Sequence, residues 1–142
     1  MKVVVQRVSQ AKVLVGENLV AKIGQGLLLL VGIENKDQGQ EKKMAEKILK
    51  LRIFSNQEDK MNLSVLDVRG EILAIPQFTL LADTEGNRPY FGNAAQPKTA
   101  KPIFDFFISE LKKSNLKVES GIFGAKMEIE LINSGPVTII LE

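Results

Sequence analysis

Apolar residues in the first third of the chain follow the pattern of β-strands. The stretches 2–8 and 11–15 are rich in valine, whose branched side chain suits a pleated surface. A strand over 19–23 follows the hairpin turn Gly16-Glu17-Asn18. The run 27–33 is apolar almost throughout, which is typical of a strand buried on both faces.

From Lys36 the apolar period lengthens to that of a helix. The recurring positions are Met44, Ala45, Ile48, Leu49 and Leu51. Asp37 is the predicted cap of this helix. A second helix is predicted to begin near Thr99, with Pro102 tolerated in its first turn because first-turn N–H groups have no intrahelical partner.

The rest of the chain returns to extended patterns. The segments 71–75 and 78–81 are predicted to be extended and are separated by Pro76. Apolar and charged residues alternate strictly over 126–131, and 137–141 is the last predicted strand. We therefore predict an α+β fold, with an antiparallel β-barrel-like sheet and two helices.

The length, apolar content and net charge of the chain limit its domain number, location and binding partners. The chain has 142 residues, a common size for one domain, so 1–142 is predicted to be a single domain. The apolar start of the chain is too short for the core of a signal sequence, and no later run approaches the length of a membrane span, which favours a cytoplasmic protein. A net charge of +2 is weak evidence for nucleic-acid binding.

The chain contains neither histidine nor cysteine. This excludes zinc sites of the Cys/His type and every Ser-His-Asp or Cys-His catalytic arrangement. No side chain has an ordinary pKa near neutrality, so an enzyme on this chain must use hydroxyls, main-chain dipoles, a shifted carboxylate or lysine, or groups of its substrate. Hydrolysis of an activated ester needs little acid–base help and fits that constraint.

Two segments place special residues beside apolar strands. Gln77-Phe78-Thr79 offers amide and hydroxyl groups that could hold a carbonyl or ribose oxygen, or simply forms the solvated face of a strand. Gly135-Pro136 is most simply a turn. Alternatively, it is a main-chain wall: a glycine carbonyl can approach a ligand closely, and an X-Pro bond can be cis.

Three weaker signals leave the function open on the residues alone. The loop 121–125 could admit a planar base beside Phe123, although a turn over the core is commoner. The segment 88–91 could stack on a nucleotide. The lysine-rich face of the first helix is more often solvated than bound to phosphate.

Several landmarks together carry a family resemblance over nearly the whole chain. They are Gln6-Arg7-Val8, Arg52-Ile53-Phe54-Ser55, Lys60-Met61-Asn62-Leu63, Gln77-Phe78-Thr79-Leu80, Arg88-Pro89, Gly121-Ile122-Phe123-Gly124-Ala125 and Asn133-Ser134-Gly135-Pro136-Val137-Thr138. In this order and spacing they resemble the D-aminoacyl-tRNA deacylase family, once called D-tyrosyl-tRNA deacylases.

The resemblance implies an editing hydrolase that cleaves the ester of D-aminoacyl-tRNA and of mischarged glycyl-tRNA. It also implies a homodimer with the active site at the subunit interface. Gly135-Pro136 would be the cis motif inserted into the partner's pocket, where its carbonyls reject an L side chain by collision. Arg7 would orient this motif. No cofactor, metal, membrane or DNA partner is expected.

The resemblance also implies roles for the remaining site residues. Gln77, Phe78 and Thr79 would form the catalytic segment, and the substrate would lie against four residues of one segment. These are Phe123, Gly124, Ala125 and Met127. Thr79 matches a position suggested as a nucleophile, but no histidine is present to activate it. Attack by water, assisted by the terminal ribose 2′-OH and by main-chain amides, is the preferred mechanism.

Three departures from the family pattern bear on this mechanism. Pro76 replaces the usual Ser and loses a hydroxyl and an N–H, Ser134 replaces a common Asp, and Tyr90 replaces a common Ser at the predicted pocket entrance. Two alternatives to the enzyme are a non-catalytic RNA-binding domain of the same fold and a structural oligomer without a ligand.

Overall fold

The computed structural model describes residues 1–142 and contains eight strands, two α-helices and one 3₁₀ helix. The strands are β1 (Lys2–Val15), β2 (Asn18–Ile23), β3 (Gly26–Gly32), β4 (Phe54–Ser55), β5 (Met61–Leu63), β6 (Glu71–Pro76), β7 (Val118–Ser120) and β8 (Glu128–Leu141). The helices are α1 (Glu41–Lys50) and α2 (Pro97–Lys112), and the 3₁₀ helix covers Phe78–Leu81.

The long strand β1 organises a six-stranded, barrel-like sheet. Its first half pairs with β3 and its second half with β2, while β8 runs antiparallel along its other side. The order continues from β3 to β6 and β7, and both of these pairings are parallel. The sheet is therefore mixed in detail, and the predicted α+β class with a barrel-like sheet and two helices is confirmed.

The two faces of the sheet bury separate sets of side chains. Residues Leu27 and Leu29 of β3 join a cluster of 24 buried residues that also takes in the apolar faces of α1 and α2. Leu28 points the other way, into a cluster of eight buried residues with Val8 and Leu73. The prediction that the apolar run at β3 is buried on both faces is thus correct.

Both ends of the chain form longer strands than predicted. The predicted strands 2–8 and 11–15 are one continuous strand, which accommodates register shifts against β8 between Gln6 and Gln10. The segment at Gly135-Pro136 does not separate two strands either, because β8 continues through it. The interpretation of Gly135-Pro136 as a simple turn is therefore wrong.

The helix starts also differ from the prediction. The first helix begins at Glu41 after Gln40, and Asp37 does not cap it. The Asp37 carboxylate is instead buried, contacts the Met1 ammonium group and accepts a 2.6 Å hydrogen bond from the Glu34 N–H. Its charge therefore joins the start of β1 to the loop before α1.

The second helix begins at Pro97 rather than near Thr99, since a proline in the first turn has its φ already suited to a helix. Pro102 consequently lies inside the helix and not in its first turn. The segment 78–81 is a 3₁₀ helix and not a strand. The β6 ladder ends just before it, and the Leu80 N–H turns back to the Gln77 carbonyl at 3.3 Å.

Strands β4, β5 and β7 were not predicted, because two or three residues are too few to show a period. Neither α-helix has the length and apolar character needed to cross a membrane.

Candidate active site

A cavity of about 520 Å³ opens at the edge of the sheet where β3 and β6 end. Carboxyl ends of neighbouring parallel strands are a common place for ligand sites in α/β sheets. The volume lies within the range of about 300–1,000 Å³ that small-molecule sites occupy. Twelve of the 17 residues that line it are hydrophobic, and none of the 17 has an ionisable side chain.

The first wall of the cavity is the segment that leaves β6. Gln77 and Phe78 line it, and the Gln77 N–H donates to the Val31 carbonyl at 2.8 Å. The Gln77 side-chain amide donates a short hydrogen bond to the Thr79 hydroxyl oxygen. Thr79 is exposed and does not line the cavity itself. The main-chain N–H groups of Phe78 and Thr79 have no acceptor within the chain.

The opposite wall is the segment between β7 and β8. Phe123, Gly124, Ala125 and Met127 all line the cavity. The Gly121 N–H ties this segment to β6 by a 3.0 Å bond to the Ala74 carbonyl. Gly124 has φ = +80°, a conformation that residues with a Cβ rarely adopt, so the chain can reverse at this point.

Aromatic contacts hold both walls in place. The rings of Phe78 and Phe91 meet edge to face with their centroids 5.1 Å apart. Across the cavity, Phe123 packs against the buried Phe104 of α2 at 6.2 Å. The exposed ring of Phe78 therefore lies at the mouth of the cavity, where its contact with Phe91 holds it in place.

A third wall was predicted only at Phe91, which belongs to the segment 88–91 that could stack on a nucleotide. It consists of Phe91, residues 94–97 and Ala100, and thus includes the first turn of α2. The other residues of this wall are alanines, a glutamine and a proline, and no motif in the sequence marks them as part of a site. Tyr90, expected near the pocket entrance, is 67% exposed, lies over Gly92 and does not line the cavity.

The group predicted for chiral selection lies apart from this cavity within one chain. Gly135 and Pro136 are exposed, their peptide bond is cis, and neither lines the cavity. The half-buried Arg7 side chain donates to the Ser134 carbonyl at 3.0 Å and to the Ile53 carbonyl at 2.7 Å. Arg7 therefore fixes the main chain immediately before Gly135.

Two displaced pKa values lie outside the cavity. Hydrogen bonds from the Ser64 main-chain N–H and hydroxyl hold the pKa of Asp67 below its ordinary value. A hydrogen bond and the charge of Glu34 raise the pKa of Lys36.

The fold and the cavity define a class before any closer relative is considered. A solved structure described as a probable eukaryotic D-amino acid tRNA deacylase has the same fold, with a TM-score of 0.86 over 99% of this chain and 97% of that one. Its sequence is only 17% identical, so this likeness concerns the fold alone. The class is therefore that of proteins with the D-amino acid tRNA deacylase fold.

The sequence narrows this class to one family. A sequence model of the family described as D-Tyr-tRNA(Tyr) deacylase matches residues 4–142, and the chain belongs to this family. A D-aminoacyl-tRNA deacylase of Flavobacterium psychrophilum is 50% identical over 145 residues, covering 100% of this chain and 97% of the relative. Membership makes the chain a hydrolase, as the resemblance implied.

Another solved structure is similar over the whole chain. The protein described as c-Myc DNA Unwinding Element Binding Protein is 41% identical and has a TM-score of 0.94. The alignment covers 100% of this chain and 98% of that protein.

Proposed function

We propose that the protein hydrolyses the ester of D-aminoacyl-tRNA, and of mischarged glycyl-tRNA, in the cytoplasm. The observation that carries this proposal is a cavity of ligand size whose lining contains no ionisable side chain. Such a site provides no general acid or base of its own, and it suits a substrate that is an activated ester with a neighbouring hydroxyl. The terminal ribose of aminoacyl-tRNA supplies that 2′-OH.

Main-chain groups would supply the protein's part of the catalysis. Pro76 has no N–H and the Gln77 N–H is bound to the Val31 carbonyl, so Phe78 and Thr79 carry the free N–H groups at this wall. Two fixed donors aimed at a developing oxyanion are a strong contribution, since losing one such donor costs about 10²–10³ in rate in other hydrolases. The ester carbonyl would lie beside these two amides.

Thr79 is assigned a supporting role rather than that of a nucleophile. Its hydroxyl oxygen accepts a hydrogen bond from Gln77, and no basic side chain lines the cavity to take its proton. A hydroxyl without an adjacent base is a weak nucleophile. Attack by water, assisted by the ribose 2′-OH, accounts for the reaction without it.

A homodimer would bring the chiral selector to the cavity. The outer edge of β8 pairs with no strand, and the strand exposes Ile132 by 52% and Ile140 by 64%. A long edge with exposed apolar side chains invites pairing or covering by another chain. We assign this surface to a second copy, which would place the partner's Gly135-Pro136 against the cavity.

The selector would act through its carbonyls. Facing the α-carbon of the substrate, they would collide with an L side chain and leave room for a D side chain or for glycine. Arg7 is the positioning residue of this motif, because its guanidinium holds the Ser134 carbonyl. Exclusion of the wrong enantiomer then needs no recognition of the correct side chain.

The test compares D-Tyr-tRNA, L-Tyr-tRNA and mischarged glycyl-tRNA, each with and without EDTA, by release of the amino acid. We expect hydrolysis of the D and glycyl substrates, insensitivity to EDTA, and no hydrolysis of the L substrate. Equal rates on the D and L substrates would contradict the role of Gly135-Pro136 in chiral selection. Inactivation by EDTA would contradict the metal-free mechanism. Binding of the tRNA without turnover would favour the non-catalytic RNA-binding domain, and light scattering would show whether the protein is a dimer.

A further inference from the structure

Only two residues with polar side chains line the cavity. They are Gln77 and Gln96, and the other lining residues are hydrophobic residues, prolines and one glycine. The amide of Gln77 is engaged, because it donates to the Thr79 hydroxyl oxygen. The side-chain amide of Gln96 makes no hydrogen bond with any group of the chain.

Gln96 lies at the mouth of the cavity, immediately before α2. It is exposed to solvent, and Pro97 and Ala100, on the same side of the helix start, line the cavity with it. Its main-chain carbonyl accepts hydrogen bonds from the Thr99 and Ala100 N–H groups at 2.9 and 2.8 Å, which fixes its main chain. Its side chain does not cap the helix. The mouth therefore carries one uncommitted amide, with an NH2 group that donates and an oxygen that accepts.

The chain that leaves β3 sets the distance between Gln96 and the free main-chain amides that we assign to the ester. The Gln77 N–H donates to the Val31 carbonyl at 2.8 Å, and the Ala95 N–H donates to the Ile33 carbonyl at 2.9 Å. Val31 and Ile33 are two residues apart, so these two anchor points are at most about 7 Å apart along the chain. A ribose ring fits this interval, with the ester at one wall and the base at the other.

A base that enters this cavity must find partners for its polar edge. Its faces can lie against aromatic rings, because Phe78, Phe91 and Phe123 line the walls. Its hydrogen-bonding edge is costly to bury without partners. The terminal base of tRNA is adenine, which presents the N6 amino group as a donor beside a ring nitrogen that accepts. A glutamine amide matches this pair with its oxygen and its NH2 group.

We propose that Gln96 recognises the terminal adenine of the tRNA, its amide oxygen accepting from N6 and its NH2 group donating to the adjacent ring nitrogen. This inference rests on the proposed function and deepens it by naming a residue that selects the base. Gln96 contacts the base and not the ester, so it determines which nucleoside is bound.

The experiment uses two non-hydrolysable ligands that differ only in the N6 amino group. One carries D-tyrosine through a 3′-amide on adenosine, and the other carries it on purine riboside, which keeps the ring nitrogens and lacks N6. Binding of both is measured for the wild type, Gln96→Met, Gln96→Glu and the control Gln57→Met, which changes an exposed glutamine outside the cavity. Hydrolysis of D-Tyr-tRNA by the wild type is followed in parallel.

We expect the wild type to bind the adenosine ligand about threefold to tenfold more tightly than the purine riboside ligand, which is the effect of one hydrogen bond between neutral groups. Gln96→Met keeps the length of the side chain and removes the amide, so it should bind the two ligands equally. Gln96→Glu keeps an accepting oxygen and should retain the preference for the adenosine ligand. Gln57→Met should bind both ligands as the wild type does.

Failure of the inference and failure of the proposed function give different results. Equal binding of the two ligands by the wild type, or a preference that survives in Gln96→Met, overturns the assignment of Gln96 while hydrolysis of D-Tyr-tRNA stands. Loss of the preference in Gln96→Glu would contradict an amide oxygen that accepts from N6. If the wild type neither binds the adenosine ligand nor hydrolyses D-Tyr-tRNA, the proposed function fails and the inference with it.

Discussion

Replacing Gly135 by alanine tests the geometry of the segment that we assign to chiral selection. Gly135 has φ = +115°, and an added Cβ would lie 2.4 Å from Arg7 Nη2 and 3.2 Å from Val137 Cγ2. The backbone strain costs about 1–3 kcal/mol. If Arg7 moves away to relieve the contact, its charge-assisted hydrogen bond to the Ser134 carbonyl is lost, at a further cost of about 1.5–3 kcal/mol.

We therefore expect Gly135→Ala to lower the free energy of unfolding by roughly 2.5–6 kcal/mol in urea denaturation at a fixed protein concentration. Gly16→Ala is the matched control, because Gly16 has φ = +59° but an added Cβ there would meet no atom within 4 Å. It should lose only about 1–2 kcal/mol from backbone strain. If the two variants are equally stable, the contact with Arg7 does not constrain this segment, and our account of Arg7 as its positioning residue is wrong.

Three further outcomes are expected. Gly26→Ala should cost about 3 kcal/mol or more in urea denaturation, because its Cβ would lie 1.8 Å from the main-chain oxygen of Glu71, whereas Gly86→Ala, with open space around it, should be nearly neutral. Asp67→Asn should destabilise the protein at pH 7. Because the folded-state pKa of Asp67 is lowered, its contribution is present above the unfolded value of about 3.9 and disappears as the pH falls through the folded value, so the stabilities of variant and wild type should converge in acid. Thr79→Ala should keep hydrolysis of D-Tyr-tRNA within about tenfold of the wild-type rate, and a loss of about 10³ or more with intact ligand binding would restore Thr79 as the nucleophile.

The spacing of apolar residues in the sequence identified the strands and helices in which one face is buried and the other is exposed. The alternation over 126–131 predicts a strand, and from Glu128 onward its apolar and charged side chains do point to opposite sides of β8; residues 126 and 127 lie just before this strand. Periodicity could not show that β8 runs on through Asn133 and Gly135-Pro136, since turn residues are read as breaks. Only the partner strand reveals the continuity, because β1 pairs with β8 on both sides of the motif at Thr138 and Asn133.

The parallel pairings also could not be predicted from local pattern. Whether β6 lies beside β3 or elsewhere depends on contacts between residues far apart in sequence, such as Leu28 with Leu73. The pairing requires the main chains of β3 and β6 to approach closely, and the sequence shows this requirement only through Gly26. A glycine before an apolar run is equally typical of an ordinary turn. The cavity depends on this same pairing, because its walls meet where β3 and β6 end together.

Of the predicted site residues, six line the cavity and Thr79 is hydrogen-bonded to one of them. These six are Gln77, Phe78, Phe123, Gly124, Ala125 and Met127. The motif resemblance supplied them, whereas residue chemistry alone left the functional and the purely structural interpretations open. The cavity wall formed by the start of α2 was not predicted, because the alanine and proline residues of this segment carry no reactive group.

The arrangement of main-chain hydrogen bonds explains how a cavity without ionisable side chains could support hydrolysis. In the β6 ladder each N–H that faces β3 is engaged, and the Gln77 N–H makes the last of these bonds, to Val31. The chain then turns into the 3₁₀ helix, where the first two N–H groups have no carbonyl to bind. Free donors therefore arise at the point where the strand ends, and they arise there whether residue 76 is serine or proline. On this reasoning Pro76 removes a donor that the transition state does not need, and the rate on D-Tyr-tRNA should respond only weakly to Pro76→Ser; a rise of about 10² or more on that substitution would show that the missing group belongs to the oxyanion site.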